Sequence, residues 1–133
     1  ARYQRSAQKL VALYQRHRAQ ADRDPGIRKS VLQAWAAAEA YTLASYHTVS
    51  RVLRGARIGA EASTNKIYWS ELDLQLHETA MRILGPRAEL ADDPEVQEWL
   101  EGFLFAQAGP IYAGSNEIQR NIIAERMLGL PKS

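Results

Sequence analysis

The sequence predicts an all-α protein, an antiparallel bundle of long helices. Three observations predict it. Ala, Leu, Gln, Glu and Arg dominate, while Gly and Pro gather between segments rather than inside them. Apolar residues recur every three or four positions over long stretches. The connections between those stretches are short, which favours antiparallel neighbours. A chain of 133 residues, 46% apolar and 24% charged, suits one domain with a single core.

The elements follow in order. Residues 1 to about 21 read as one helix, with Ala7, Leu10, Val11 and Tyr14 on a stripe and Arg2, Arg5, Lys9, Arg16 and Arg18 mostly off it, on a solvated face, with contact to the phosphates of a cofactor or to a neighbouring subunit as the alternative. Asp24 followed by Pro25 is an N-cap with proline at the first helical position. The helix it starts runs to about Arg54. Leu32, Trp35, Leu43, Tyr46, Val49 and Leu53 keep helical spacing, and alanines cover much of the rest. Some thirty residues make a rod about 45 Å long, which suits a bundle. Gly55 to Ala60 is a turn. Ser63 or Thr64 caps the next helix, which carries Ile67, Leu72, Leu76, Ala80 and Ile83 and ends at Gly85-Pro86. Asp92, Asp93 and Pro94 start a shorter helix with Val96, Trp99, Leu100, Phe103 and Leu104.

The final stretch is a loop that turns into a helix. Gly109-Pro110 breaks what precedes, and Gly114 frees the backbone. Ser115 is an N-cap, and Glu117 sits in the first turn, where the helix dipole favours negative charge. Ile118, Ile122, Ile123 and Met127 form one apolar face; Gly129 and Pro131 end the helix. Such an N-terminus exposes N–H groups to an anion or a polar cofactor edge.

Several chemistries find no support. There is no cysteine, hence no disulfide or thiolate metal site. His17, His47 and His77 are scattered over different helices, without the Glu-x-x-His pairs of a di-iron bundle, and no metal site is expected. No Gly-x-Ser-x-Gly elbow or phosphate-binding glycine loop occurs. No apolar run nears the ~20 residues of a membrane span, and no signal pattern opens the chain. Membrane association is not expected, and the location expected is cytoplasmic. The formal charge is only +2, so a nucleic-acid partner is not expected either. Tyr68, Trp69 and Trp99 read as core aromatics, with stacking on a flavin or adenine as the alternative. Tyr112, a loop aromatic beside a helix N-terminus, is a better pocket candidate.

The run IYAGSNEIQRNIIAERMLGLP, Ile111 to Pro131, resembles the C-terminal signature of acyl-CoA dehydrogenases, flavoenzymes that desaturate acyl-CoA thioesters. Arg57 to Pro86 is similar, more weakly, to that family's long helix. The resemblance implies a C-terminal helical domain over residues 1–133, FAD as cofactor and an acyl-CoA substrate. It implies flavin contacts from Ser115, Asn116 and Glu117 and substrate contacts from Tyr112 and Gly114, with Gln119 and Arg120 in support. Self-association as a dimer or tetramer and an electron-transfer acceptor protein are the partners it implies. Three departures stand out. Ala113 replaces the usual catalytic glutamate, so no catalytic residue is assigned. Arg82 and Pro86 replace a glutamine and a second glycine that meet flavin. The family's Arg-x-x-Phe-Gly after the first helix is missing.

Helical sequence begins at Ala1, so the chain is expected to be cut from something longer, with the N-terminal helical and middle β domains outside it. The base would then be a glutamate before Ala1. The alternatives are a non-catalytic subunit of a mixed oligomer, a helical interaction module without chemistry, or a base among Glu61, Glu71 and Glu117.

Overall fold

A computed structural model describes residues 2–90 and 92–132. Six α-helices follow in order: α1 Arg2–Arg16, α2 Arg18–Ala21, α3 Pro25–Leu53, α4 Glu61–Leu84, α5 Pro94–Ala106 and α6 Asn116–Arg126, with a 3₁₀ segment Gly85–Glu89 after α4. No strand occurs among the described residues. The fold is the antiparallel helical bundle that the periodicity predicts.

Helix α4 is the axis. It packs against α1, α3, α5 and α6. Its buried stripe Leu72, Leu76, Ala80, Ile83 and Leu84 meets Leu10 and Leu13 of α1 and Val96 and Trp99 of α5. The apolar spacing of α4 therefore serves two neighbours at once.

The ends obey local rules. The Asp24 side chain accepts from the Gly26 N–H at 2.8 Å and Asp93 from the Glu95 N–H at 2.9 Å, each with proline next in the helix. Gly85, with φ of 54°, closes α4 in a conformation that costs a residue with a Cβ.

Three expectations need correction. The first helix is not continuous to Ala21: it breaks at His17, whose ring is tied to Glu95 of α5 at 2.8 Å, a tertiary bond that local propensity does not encode. Helix α4 starts at Glu61, not at a Ser63 or Thr64 cap. Glu61 turns back to the Gly59 N–H at 3.1 Å, and Ser63 is buried within the helix. Helix α3 turns its small side chains inward. Ile27, Val31, Ala34, Ala38 and Thr42 are buried, whereas Leu32, Trp35, Leu43, Tyr46, Val49 and Leu53 are exposed, Leu53 to 82%. The large-residue stripe read from the sequence thus faces away from this chain's own core.

Candidate functional site

The candidate site forms where α5 ends and α6 begins. After Ala106 the chain makes tight turns, with the Ile111 and Tyr112 N–H groups both donating to the Ala108 carbonyl at 3.0 Å. Gly109 is buried there; a Cβ on it would sit 3.0 Å from the Ala106 carbonyl oxygen and 3.4 Å from Ser70. The tight contact is with the last carbonyl of α5, which a side chain here would crowd, while the approach to Ser70 of α4 is ordinary van der Waals contact.

Residues 111–114 stay exposed. Ala113 and Gly114 both have positive φ, 55° and 83°. The Gln119 side chain reaches back from α6 and donates to the carbonyls of Ala113 at 3.1 Å and Gly114 at 3.5 Å. The bend is thus held by its carbonyls. The N–H groups of Ala113, Gly114 and Ser115 have no acceptor among the described residues. Free N–H groups at a helix start suit an oxyanion or a polar ring edge.

Each predicted residue has a definite place. Ser115 caps α6, its hydroxyl accepting from the Ile118 N–H at 3.5 Å, a long bond that water or a ligand can compete with. Glu117 is exposed on the first turn; its own backbone N–H, and then the Ser115 hydroxyl, hold its carboxyl below the usual range. Asn116 is buried instead. Its Oδ1 accepts from Lys66 Nζ at 2.7 Å, and its amide nitrogen donates to Ser70 Oγ at 3.1 Å. Its backbone N–H donates to the Pro110 carbonyl at 2.8 Å. Asn116 is thus the rivet that fixes the bend to α4. Arg120 pairs with Glu71 at 2.6 Å and ties α6 to the same helix.

Tyr112 is half-exposed and lies against Trp69, ring centroids 5.7 Å apart, and Phe105, 6.4 Å apart. Beyond Trp69 opens a groove of about 340 Å³ walled by Arg2, Tyr3 and Tyr41. Tyr3 and Tyr41 meet edge to face at 5.2 Å, and Tyr41 stacks on Tyr68 at 5.9 Å. Burial, and then the Asp73 carboxylate, push the Tyr3 hydroxyl well above its ordinary range, so it stays protonated and able to donate. Sequence reading favoured Tyr112 as a pocket residue but read Tyr68 and Trp69 as core; Tyr68 is instead exposed, its ring stacked on Tyr41 at the surface. Sequence reading missed Tyr3 and Tyr41, whose helical spacing reads as core and whose rings meet only through the crossing of α1 on α3. Trp99 is core as expected, 5% exposed.

The three glutamates considered as bases lie elsewhere or are engaged. Glu61, at the start of α4, is paired with Arg51 at 3.1 Å; its own backbone N–H and Arg51 hold its carboxyl low. Glu71 holds Arg120. A base with a lowered pKa is a poor proton acceptor near neutrality, which weighs against Glu61 and Glu117.

The opposite end of α4, at Arg82 and Pro86, is closed by ion pairs. Arg82 reaches Asp24 at 2.7 Å and Ser30 at 3.0 Å; Arg87 reaches Asp93 at 2.5 Å. No group of three ligating side chains suited to a metal forms among the described residues, and none of their helices is long and apolar enough to cross a membrane.

The chain belongs to the acyl-CoA dehydrogenase family: residues 1–128 match the family described as "Acyl-CoA dehydrogenase, C-terminal domain". It is 39% identical over 130 residues to the acyl-CoA dehydrogenase IpdE1 of Mycobacterium tuberculosis, covering 98% of this chain and 33% of that protein. It is 39% identical over 131 residues to IpdE1 of Mycolicibacterium smegmatis, covering 98% and 32%. The chain therefore spans about a third of the length of the curated relatives it matches. In three dimensions it is similar to the G363A variant of the Tcur3481-Tcur3483 steroid ACAD, with a TM-score of 0.77 at 23% identity over 97% of this chain and 34% of that one. The unsubstituted Tcur3481-Tcur3483 steroid ACAD gives 0.71 at 23% identity, over 96% and 35%.

Proposed function

We propose that this chain is the C-terminal part of an FAD-dependent dehydrogenase that desaturates an acyl-CoA, and that it supplies one wall of the flavin and thioester site. The observation that carries this reading is the bend at residues 113–115, exposed at Ala113 and Gly114, whose N–H groups have no acceptor among the described residues while Gln119 fixes the Ala113 and Gly114 carbonyls. The residues fit a flavin edge: free donors, no side chain at Gly114, and a serine hydroxyl on a long bond.

FAD, when bound, accepts the hydride leaving the β-carbon of the acyl group. The chain's own residues bind and orient. Gly114 and Ser115 N–H groups donate to polar edges. Tyr112 and Trp69 exclude water and give a flat apolar surface, and the Tyr3–Tyr41 groove continues it. An aromatic-walled groove suits a bulky ring-bearing acyl group, the kind the steroid neighbour's name specifies. Ala113 takes no proton, so the α-proton goes to a carboxylate from outside residues 1–133, either earlier in the same polypeptide or on a partner subunit. The second source makes this a non-catalytic member of a mixed oligomer.

In the intact protein, Gly114→Val should lose most bound flavin, because φ of 83° strains a β-branched residue and its side chain would push the Gln119 amide off the bend. Flavin absorbance per purified protomer measures this. Full flavin content in a folded Gly114→Val variant would remove the bend from the cofactor site. The 133-residue chain alone should not oxidise acyl-CoA with an artificial acceptor; turnover by it refutes the proposal.

A further inference from the structure

On another part of the surface, α1, α4 and α5 enclose a pocket of about 220 Å³. One wall is basic. Arg2, Arg5 and Lys9 fall at i, i+3 and i+7 on α1, so their charges crowd one helical face. Two are answered within the chain: Arg2 by Asp73 at 3.2 Å, and Lys9 by Glu98. Arg5 has no carboxylate partner among the described residues. The Ser6 hydroxyl, beside it in the same pocket, has no hydrogen-bond partner among them either. Two unengaged donors, one cationic, thus meet in one concavity.

The opposite wall is rigid. The rings of His77 and Trp99 pack edge to face at 5.6 Å, and His77 Nδ1 is held on the Asp73 carbonyl at 2.8 Å. A Cβ on Gly102 would collide with the His77 ring, so the absence of a side chain at 102 is what admits the ring. The back of the pocket is therefore fixed by packing before any ligand arrives.

We propose that this pocket binds a small oxyanion, a single phosphate group or a compact polycarboxylate, with the Arg5 guanidinium and the Ser6 hydroxyl as its donors; Arg2 and Lys9 stay paired with Asp73 and with Glu98, whose carboxylate also lines the pocket. A guanidinium fork matches the oxygens of phosphate or carboxylate in pairs. The volume lies below the range of roughly 300–1,000 Å³ usual for whole cofactors, which selects a small anion over a nucleotide.

The test is calorimetric titration of the intact protein with inorganic phosphate and, separately, with citrate, against chloride at matched ionic strength. Saturable binding of phosphate or citrate is expected, and the stronger of the two names the source. Arg5→Gln should weaken it about tenfold, the worth of one charge-assisted hydrogen bond. Arg5→Lys should restore part of the loss. Arg57→Gln, in the α3–α4 connection, should leave binding unchanged. Heat that only tracks ionic strength, or an Arg5→Gln protein that binds as tightly as the parent, overturns the proposal. Arg5 is exposed and outside the core, so its variants are expected to fold.

Discussion

Ala113 is the one non-glycine with positive φ among the described residues, at 55°. A left-handed L-residue costs roughly 1–2 kcal/mol. Glycine there relieves that strain and returns roughly 0.5–1 kcal/mol through a freer unfolded chain. Ala113→Gly is therefore expected to be neutral to stabilising, by up to about 1 kcal/mol, on a urea unfolding curve. Asn116 gives the opposite case. Lys66 is 8% exposed, and the Asn116 carbonyl oxygen is its hydrogen-bond acceptor. Asn116→Ala should cost about 2–3 kcal/mol, as a charge-assisted bond is lost in a buried place, and the same denaturation experiment reads it. Local chemistry made Ser115, Gly114, Asp24 and Asp93 legible before any fold was known, since caps and turns depend on neighbours in sequence. The burial of Asn116 was not legible: Ser70 and Lys66 stand 46 and 50 residues away. A polar residue one position after a cap looks solvent-facing until the partner helix is in place.

At the scale of elements, the clamps around α4 and α5 set a pH response. Arg82, and then the Gly26 N–H, hold the Asp24 carboxyl below the ordinary range; Arg87, and then the Glu95 N–H, do the same for Asp93. In the unfolded chain both return to about 3.9. Their contribution is complete above that value and fades as pH falls through it toward the folded-state pKa values. The melting temperature is expected to drop below about pH 4, less so in an Asp24→Asn, Asp93→Asn variant than in the parent. The Arg82–Asp24 pair is exposed and the Arg87–Asp93 pair only half-buried, so the effect is modest and shrinks in salt. Helix positions were mostly legible, because proline and aspartate mark their starts and periodicity marks their bodies. The break at His17 was not, because Glu95 and Arg87 lie on other elements.

For the whole molecule, the governing fact is the outward stripe of α3. Large apolar side chains from Leu32 to Leu53 lie open along one helix, and apolar surface gathered in this way marks an interaction face. The chain should self-associate through this stripe. Leu43, 67% exposed, reports on it. Leu43→Glu is expected to shift sedimentation toward the monomer while leaving helix content unchanged. An unshifted profile removes this face from the interface. The stripe itself was legible from spacing, but its direction was not. Periodicity finds an apolar seam without saying which body fills it, and here alanines rather than leucines face home.

Helix α3 therefore has two faces under different constraints. On the side of Ala34 and Ala38, fully buried, there is room for nothing bulkier, so drift is limited by volume. On the side of Trp35 and Tyr46 size is negotiable, and drift is limited by greasiness, for as long as a mate is kept. Descendants that drop the mate should turn hydrophilic along one edge and stay miniature along the other, and that asymmetry is a record of lost companionship written in a single rod.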